Sequence, residues 1–208
     1  MLGERVLVLA PHTDDGELGA GGTIAKLCAQ GRDVRYVAFS ACETIQTTEP
    51  RDLLRTECAN ATGRLGVKPE NLSILDFEVR EFGRDRQPIL DAMVRLNAEF
   101  RPDLVLAPCH DDFHQDHQVV AAEAMRAFKR TTMLGYELPW NTTQFATTAF
   151  VELTQVEVDK KIAAVAAYES QAGRPYADPR VTESQLRFRG VLAGVEFAEA
   201  FTVIRWYF

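Results

Sequence analysis

Two short stretches of this 208-residue chain gather groups that can bind a metal or move protons. In "VLVLAPHTDDGELGAGGTIAKL", His12, Asp14 and Asp15 stand where an apolar run ends and a cluster of glycines begins. In "PCHDDFHQDHQVV", much further along, three of the chain's four histidines, His110, His114 and His117, are interleaved with Asp111, Asp112 and Asp116. Imidazoles and carboxylates are the ligands of a catalytic zinc, which takes three protein groups and keeps a further position for water. Such an ion lowers the pKa of its water to about 7 and polarises a carbonyl, while one more carboxylate must stay unligated to accept the proton. Two histidines and a carboxylate suffice, and iron(II) or cobalt suits the same set. The plainer reading of the first stretch is a helix capped by Thr13 or Asp14, with Gly19, Gly21 and Gly22 in a tight turn. Capping explains poorly why nearly all the histidine of a chain should collect at one strand end, although His110 alone fits an ordinary exposed loop.

The elements around these stretches decide whether the two can meet. Short β-rich apolar runs, "RVLVLA", "VRYVAFS", "LSILDF" and "DLVLAP", alternate with amphipathic stretches over 21–30, 50–63 and 87–100. That alternation predicts βαβ units, hence an α/β fold: a Rossmann-like three-layer αβα sandwich with a mostly parallel sheet. After His117, "QVVAAEAMRAFKR" has helical periodicity, "TMLGYEL" and "TTAFVEL" read as strands, and 156–169 as another helix. The segment 170–190, broken by Gly173, Pro175 and Pro179, is expected to be irregular and to border the site. In open α/β sheets ligands sit beyond the carboxyl ends of the strands, so parallel strands ahead of His12 and His110 would bring both stretches to one edge.

Composition narrows the function classes. With 46% apolar and 25% charged residues the chain can bury a full core, and no linker or repeat divides it, so residues 1–208 read as one domain. A net charge of −7 and the lack of a Lys/Arg cluster argue against nucleic acid as a partner. "GAGG" lacks the G-x-G-x-x-G spacing of a dinucleotide site and follows an acidic loop that would repel a pyrophosphate. The apolar run at the start is too short for a signal peptide or a membrane span, so a cytoplasmic location is expected. Cys28, Cys42, Cys58 and Cys109 are spaced singly, as reduced thiols are.

"PHTDDGELGAGGT" together with "HQDH" resembles the two hallmark motifs of the LmbE-like, or PIG-L, deacetylase superfamily, and the likeness extends to "RTECANATGRLGV" and "RGVLAGVEFAEAF". The resemblance implies a zinc-dependent hydrolase that removes N-acetyl groups, typically from glucosamine-containing molecules. By the family pattern His12, Asp15 and His117 would hold the metal. Asp14 would be general base and then general acid, while His114 would stabilise the tetrahedral oxyanion, with Asp116 tuning its charge. Thr13 and Gln115 replace the usual prolines, which changes loop rigidity and not ligand chemistry. "SACE" stands where the family often has "TDGE", making Ser40 and Glu43 candidates for the substrate side of the pocket. Arg51 or Arg55 could reach a substrate phosphate or hydroxyl, or pair with Asp52 or Glu57 on a helix surface. Tyr176 and Arg174, in the irregular segment, could stack on or hydrogen-bond to a sugar. The expected partner is thus a small N-acylated amino sugar or conjugate, with a homo-oligomer compatible with the sequence. Two other readings share these residues: cleavage of another amide or a carbamoyl group on a secondary metabolite, and a non-catalytic sugar- or nucleotide-binding module.

Overall fold

The computed structural model describes residues 3–45 and 50–207. Its strands are β1 (Arg5–His12), β2 (Asp33–Ser40), β3 (Leu72–Ile74), β4 (Leu104–Pro108), β5 (Thr132–Tyr136), β6 (Ala149–Leu153) and β7 (Phe197–Arg205). The helices are α1 (Asp15–Ala29), α2 (Leu53–Leu65), α3 (Arg86–Phe100), α4 (Gln115–Ala127), α5 (Gln155–Val165) and α6 (Pro179–Ala193). The strands form one seven-stranded sheet in the order β3-β2-β1-β4-β5-β7-β6. β3 to β5 pair in parallel, and β7 and β6 join antiparallel at one side.

Helices cover both faces, which is why β1 is an unbroken apolar run instead of an alternating one. Val6, Val8 and Ala10 enter one core with Leu18 and Ile24 of α1, Ala61 and Leu65 of α2 and Val158 of α5. Leu7 and Leu9 point the other way, against Ile89 and Met93 of α3 and Val120 and Ala124 of α4. From β1 the chain crosses by α1 to β2 on one side, and it returns through α3 to β4 on the other. Connections therefore leave the carboxyl ends of β1 and β4 in opposite directions, and a crevice opens between them. Among the described residues no helix is long and apolar enough to cross a membrane.

Two elements differ from expectation. α1 starts at Asp15, six residues before the predicted start at Gly21, because the glycines serve packing and not a turn: a Cβ at Gly16 would lie 2.5 Å from the Tyr36 ring. The helix is interrupted at Ala20 (φ −139°), and Glu199 of β7 inserts there, accepting the Gly22 and Thr23 amides at 2.9 and 2.6 Å. Glu199 caps this second start of the helix from across the fold, and its charge is met by Lys161 of α5 at 2.7 Å. The second difference is α6, which occupies most of the segment expected to be irregular. Pro179 begins it at the first helical turn, where the missing N–H costs nothing, and the Asp178 side chain caps it by accepting the Arg180 amide. Only the part ahead of Asp178 reaches the crevice.

Candidate functional site

The crevice is a cleft of about 450 Å³ lined by His12, Thr13, Asp14, Asp15, His114 and His117 at its base. His12 is the last residue of β1, and Asp14 and Asp15 open α1. His114 is the N-cap of α4, with Asp116 and His117 in its first turn. Two helix N-termini thus meet at the switch point of the sheet, as the loop positions predicted.

Three atoms form a nearly equilateral triangle. Nδ1 of His12 and Oδ2 of Asp15 are 3.2 Å apart, Nε2 of His117 and the same oxygen 3.2 Å, and the two nitrogens 3.3 Å. Ligands about 2.0 Å from a tetrahedral metal lie about 3.3 Å from one another, so the triangle fits one face of such a coordination shell. Its orientation is fixed from behind. The carboxylate of Asp116 engages Nε2 of His12 at 3.0 Å, that of Asp112 engages Nδ1 of His117 at 2.7 Å, and the His12 amide donates to Asp15 Oδ2 at 2.8 Å. Each ring sets its outer nitrogen against a carboxylate able to take its N–H and its inner nitrogen toward the triangle, the arrangement that metal-binding histidines require.

His114 stands differently. A nitrogen of each of the three imidazoles lies within 4.8 Å of the others, so a three-histidine set is a geometric alternative. Nδ1 of His114, however, accepts the Asp116 amide at 3.2 Å, which leaves the ring proton on Nε2 and that nitrogen a donor. Burial lowers its pKa, helped by the neighbouring His117 and His12, so the ring is neutral near pH 7.

Charge is arranged unevenly around this base. Burial alone would lower the pKa of His12, but hydrogen bonds to Asp116 and Asp15 more than offset this and carry it to about 9. His117 is likewise disfavoured by burial and raised by Asp15 and Asp112 to about 10. Asp15 would be raised by burial, yet the two imidazoles hold it well below the usual carboxylate range. Asp14 goes the other way: burial, then the adjacent Asp15 charge, push it up to about 6. Among the described residues no other residue's side chain or amide bonds to its half-buried carboxylate, which meets its own backbone amide and lines the cleft.

Several groups escape a reading of the sequence. Asp112 stands there as one aspartate among several, and its contact with His117 is tertiary. Glu17, fully buried beneath the loop, contacts the hydroxyls of Tyr36 and Tyr168, and both hydroxyls also lie within bonding distance of the Thr13 carbonyl. Burial raises Glu17 to about 8, which fits a protonated carboxyl donating in this network. The far wall comprises Trp140 stacked on Tyr176 (ring centroids 4.8 Å apart, 19° between planes), with Asn141, Ser170, Gln171 and Arg174, and Arg80 lies on the rim. Glu57 holds this wall by accepting the Ser170 amide and hydroxyl at 2.9 and 2.6 Å.

Of the residues suggested for the substrate side, Tyr176 and Arg174 line the cleft and the other four do not. Ser40 is buried with its hydroxyl turned to the Cys42 amide (3.1 Å), closing the turn after β2. Glu43 and Arg55 pair with each other at 2.6 Å, and Arg55 continues to the carbonyl of Ile74 at the end of β3 and to Asp76 just beyond it. Arg51 is exposed ahead of α2. Asp116, expected to tune His114, meets that residue through its backbone amide and through its charge, which favours the protonated ring, while its carboxylate hydrogen-bonds His12 and the Arg80 amide (2.7 Å). His110 is exposed and outside the cluster.

Fold and site together define an α/β sandwich with an imidazole–carboxylate centre at the switch point of its sheet. The model of the family PIG-L: GlcNAc-PI de-N-acetylase matches residues 7–128, more than half of the chain, and the chain belongs to this family. Among solved structures it is similar to the conserved protein TT1542 from Thermus thermophilus, at 28% identity and a TM-score of 0.79 over 97% of this chain and 94% of that one. The N,N'-diacetylchitobiose deacetylase of Pyrococcus horikoshii shares its fold (21% identity, TM-score 0.77, covering 98% and 84%). So does the 4-carboxy-2-hydroxymuconate hydratase GalB of Pseudomonas putida (20% identity, TM-score 0.77, covering 98% and 97%). The scaffold therefore carries more than one chemistry, and function has to be argued from the site.

Proposed function

We propose that this chain is a divalent-metal-dependent amidohydrolase that removes an N-acetyl or similar N-acyl group from an amino sugar or glucosamine-containing conjugate. The observation that carries the reading is the triangle of His12, Asp15 and His117 beside an Asp14 whose carboxylate no other described residue binds. In this reading those three residues hold the metal, zinc by preference. When bound, the ion supplies an acidified water and a Lewis acid for the carbonyl.

The chain's own groups do the rest. Asp14, with no other residue competing for its oxygens and a pKa lifted by burial, takes the proton of the attacking water and returns it to the departing amine. His114 donates its Nε2 N–H to the carbonyl oxygen as negative charge develops there, and because its Nδ1 accepts the Asp116 amide and its Nε2 carries the proton, the ring does not compete as a ligand. Asp112 and Asp116 are positioning residues acting through His117 and His12. The Glu17, Tyr36 and Tyr168 network fixes the Thr13 carbonyl and with it the loop between His12 and Asp15. The cleft draws residues from His12 to Tyr176, which suits one catalytic domain, and the four free cysteines suit a reducing cytoplasm.

Metal analysis beside amine release from a panel of N-acetylated sugars tests the reading. About one divalent ion per chain and release from some member of the panel are expected. A metal-replete protein that releases amine from none would remove the assignment.

A further inference from the structure

We infer that α6 is a pairing helix, whose outward face docks antiparallel on the α6 of a second copy of this chain about a two-fold axis between Ser184 and Phe188.

A surface helix ordinarily turns one apolar face to the core and a polar one to water. α6 is apolar on both sides. Thr182, Leu186 and Gly190, each four residues from the next, are buried against the fold. Val181, Phe188, Val191 and Leu192 lie on the opposite side of the helix and are exposed, Phe188 by 60% and Val191 by 78%. Among the described residues α3, α4 and α5 expose one large apolar side chain each, Val94, Met125 and Val156, and α1 and α2 expose none. The outer face is also spaced for another helix. Val181, Ser184, Phe188 and Val191 follow one another at intervals of three, four and three, the alternation by which two helices interlock along a seam.

The order of sizes along this seam selects its occupant. In an antiparallel pair with two-fold symmetry each residue meets its mirrored position, so Phe188 enters the gap over the partner's Ser184 and Val181 meets the partner's Val191. All four layers are then matched, bulky against small twice and valine against valine twice. A parallel pair would set Phe188 on Phe188 and Ser184 on Ser184, a crowded layer beside an empty one. Charge on the flank favours a protein over an anionic membrane. Arg180 is paired with Asp178 at 2.6 Å, and Arg187 with Glu183 and Glu196 at 2.9 and 3.4 Å, which leaves neither cation for lipid headgroups. A fifteen-residue helix is about 22 Å long, and one pair of that length buries less than about 1,200 Å² in total, the range of weak specific interfaces. The dimer therefore forms at micromolar concentration.

Sedimentation velocity of the full chain from about 1 to 100 μM tests the pairing, and the mass should rise from one chain to two over that range. Phe188→Glu and Val191→Glu, both at exposed positions, should keep the wild-type melting temperature and raise Kd about a hundredfold or more. Ser184→Phe separates a matched seam from an indiscriminate apolar patch. A patch would associate more strongly with the added ring, whereas in the seam that ring fills the gap Phe188 needs and breaks the dimer. Ser184→Phe/Phe188→Ser, which exchanges the two side chains, should restore it. A dimer indifferent to both single acidic variants, strengthened by Ser184→Phe or not restored by the exchange overturns the inference. So does a chain that stays monomeric throughout, and flotation of that monomer with phosphatidylcholine/phosphatidylserine vesicles, abolished by Phe188→Glu, would assign the face to a membrane surface instead.

Discussion

At the scale of single residues, neighbouring aspartates have opposite environments. Asp15 lies between two imidazoles that favour its charge, whereas Asp14 has burial and a like charge against it. Asp14→Asn should therefore keep the metal and lose turnover by roughly 10²-fold or more, while Asp15→Ala should lose the metal first. Metal content measured beside the rate of amine release separates the two, and reversed results would exchange the roles. Asp112→Asn and Asp116→Asn should each weaken metal affinity about 10–100-fold, measured by competition with a chelator. Unchanged affinity in both would show that the outer carboxylates do not orient the rings. The acid limb of kcat/KM follows Asp14, which must be ionised to act: activity should fall as pH drops through about 6 or below, since a bound dication lowers that pKa. A profile flat down to pH 4 would count against Asp14 as the base. His12, Asp14, Asp15, His114 and His117 are legible in the sequence because they follow apolar runs that could only be buried strands. Asp112, Glu17 and Arg80 are not, since each acts through a partner at least five positions away in the chain, and spacing alone does not show such contacts.

Elements set how firmly that arrangement is held. α1 carries two functions: its first turn presents Asp15 to the cleft, and its second start is capped by Glu199 from β7. The Lys161–Glu199 pair is about 2% exposed at each side chain, so removing one partner leaves a buried charge uncompensated. Lys161→Met should cost about 3–5 kcal/mol in denaturant unfolding, whereas a loss below about 1 kcal/mol would mean that the pair is incidental. β1 and β4 are legible because strands buried on both faces are continuous apolar runs. α6 is not, because proline and glycine in a sequence read as breaks, when Pro179 in fact begins a helix and Gly194 ends one in the left-handed conformation (φ 75°).

For the whole molecule, the proposed site sets metal and proton in competition for the same nitrogens. In the metal-free protein, despite burial, the carboxylates around them push His12 up to about 9 and His117 up to about 10, above the ordinary 6.5. Their contribution to stability is complete below pH 6.5 and is lost as pH rises through 9 to 10. The chelated protein should thus lose thermal stability between about pH 7 and 10 more steeply than the loaded one, in which the nitrogens hold the ion. Calorimetry at matched pH checks this, and parallel curves would refute it. The trans-cap on α1 has a further consequence, one of timing. His12 and Asp15 leave the ribosome early and His117 midway, but α1, whose first turn presents Asp15, receives the cap on its second start only once Glu199 has emerged. At ordinary rates of synthesis, about 5–20 residues per second, the ligands wait on the order of ten seconds after the last of them has emerged. On the proposed reading the ion is then a late arrival, since a nascent chain stalled before residue 197 carries every proposed ligand but an α1 without its trans-cap.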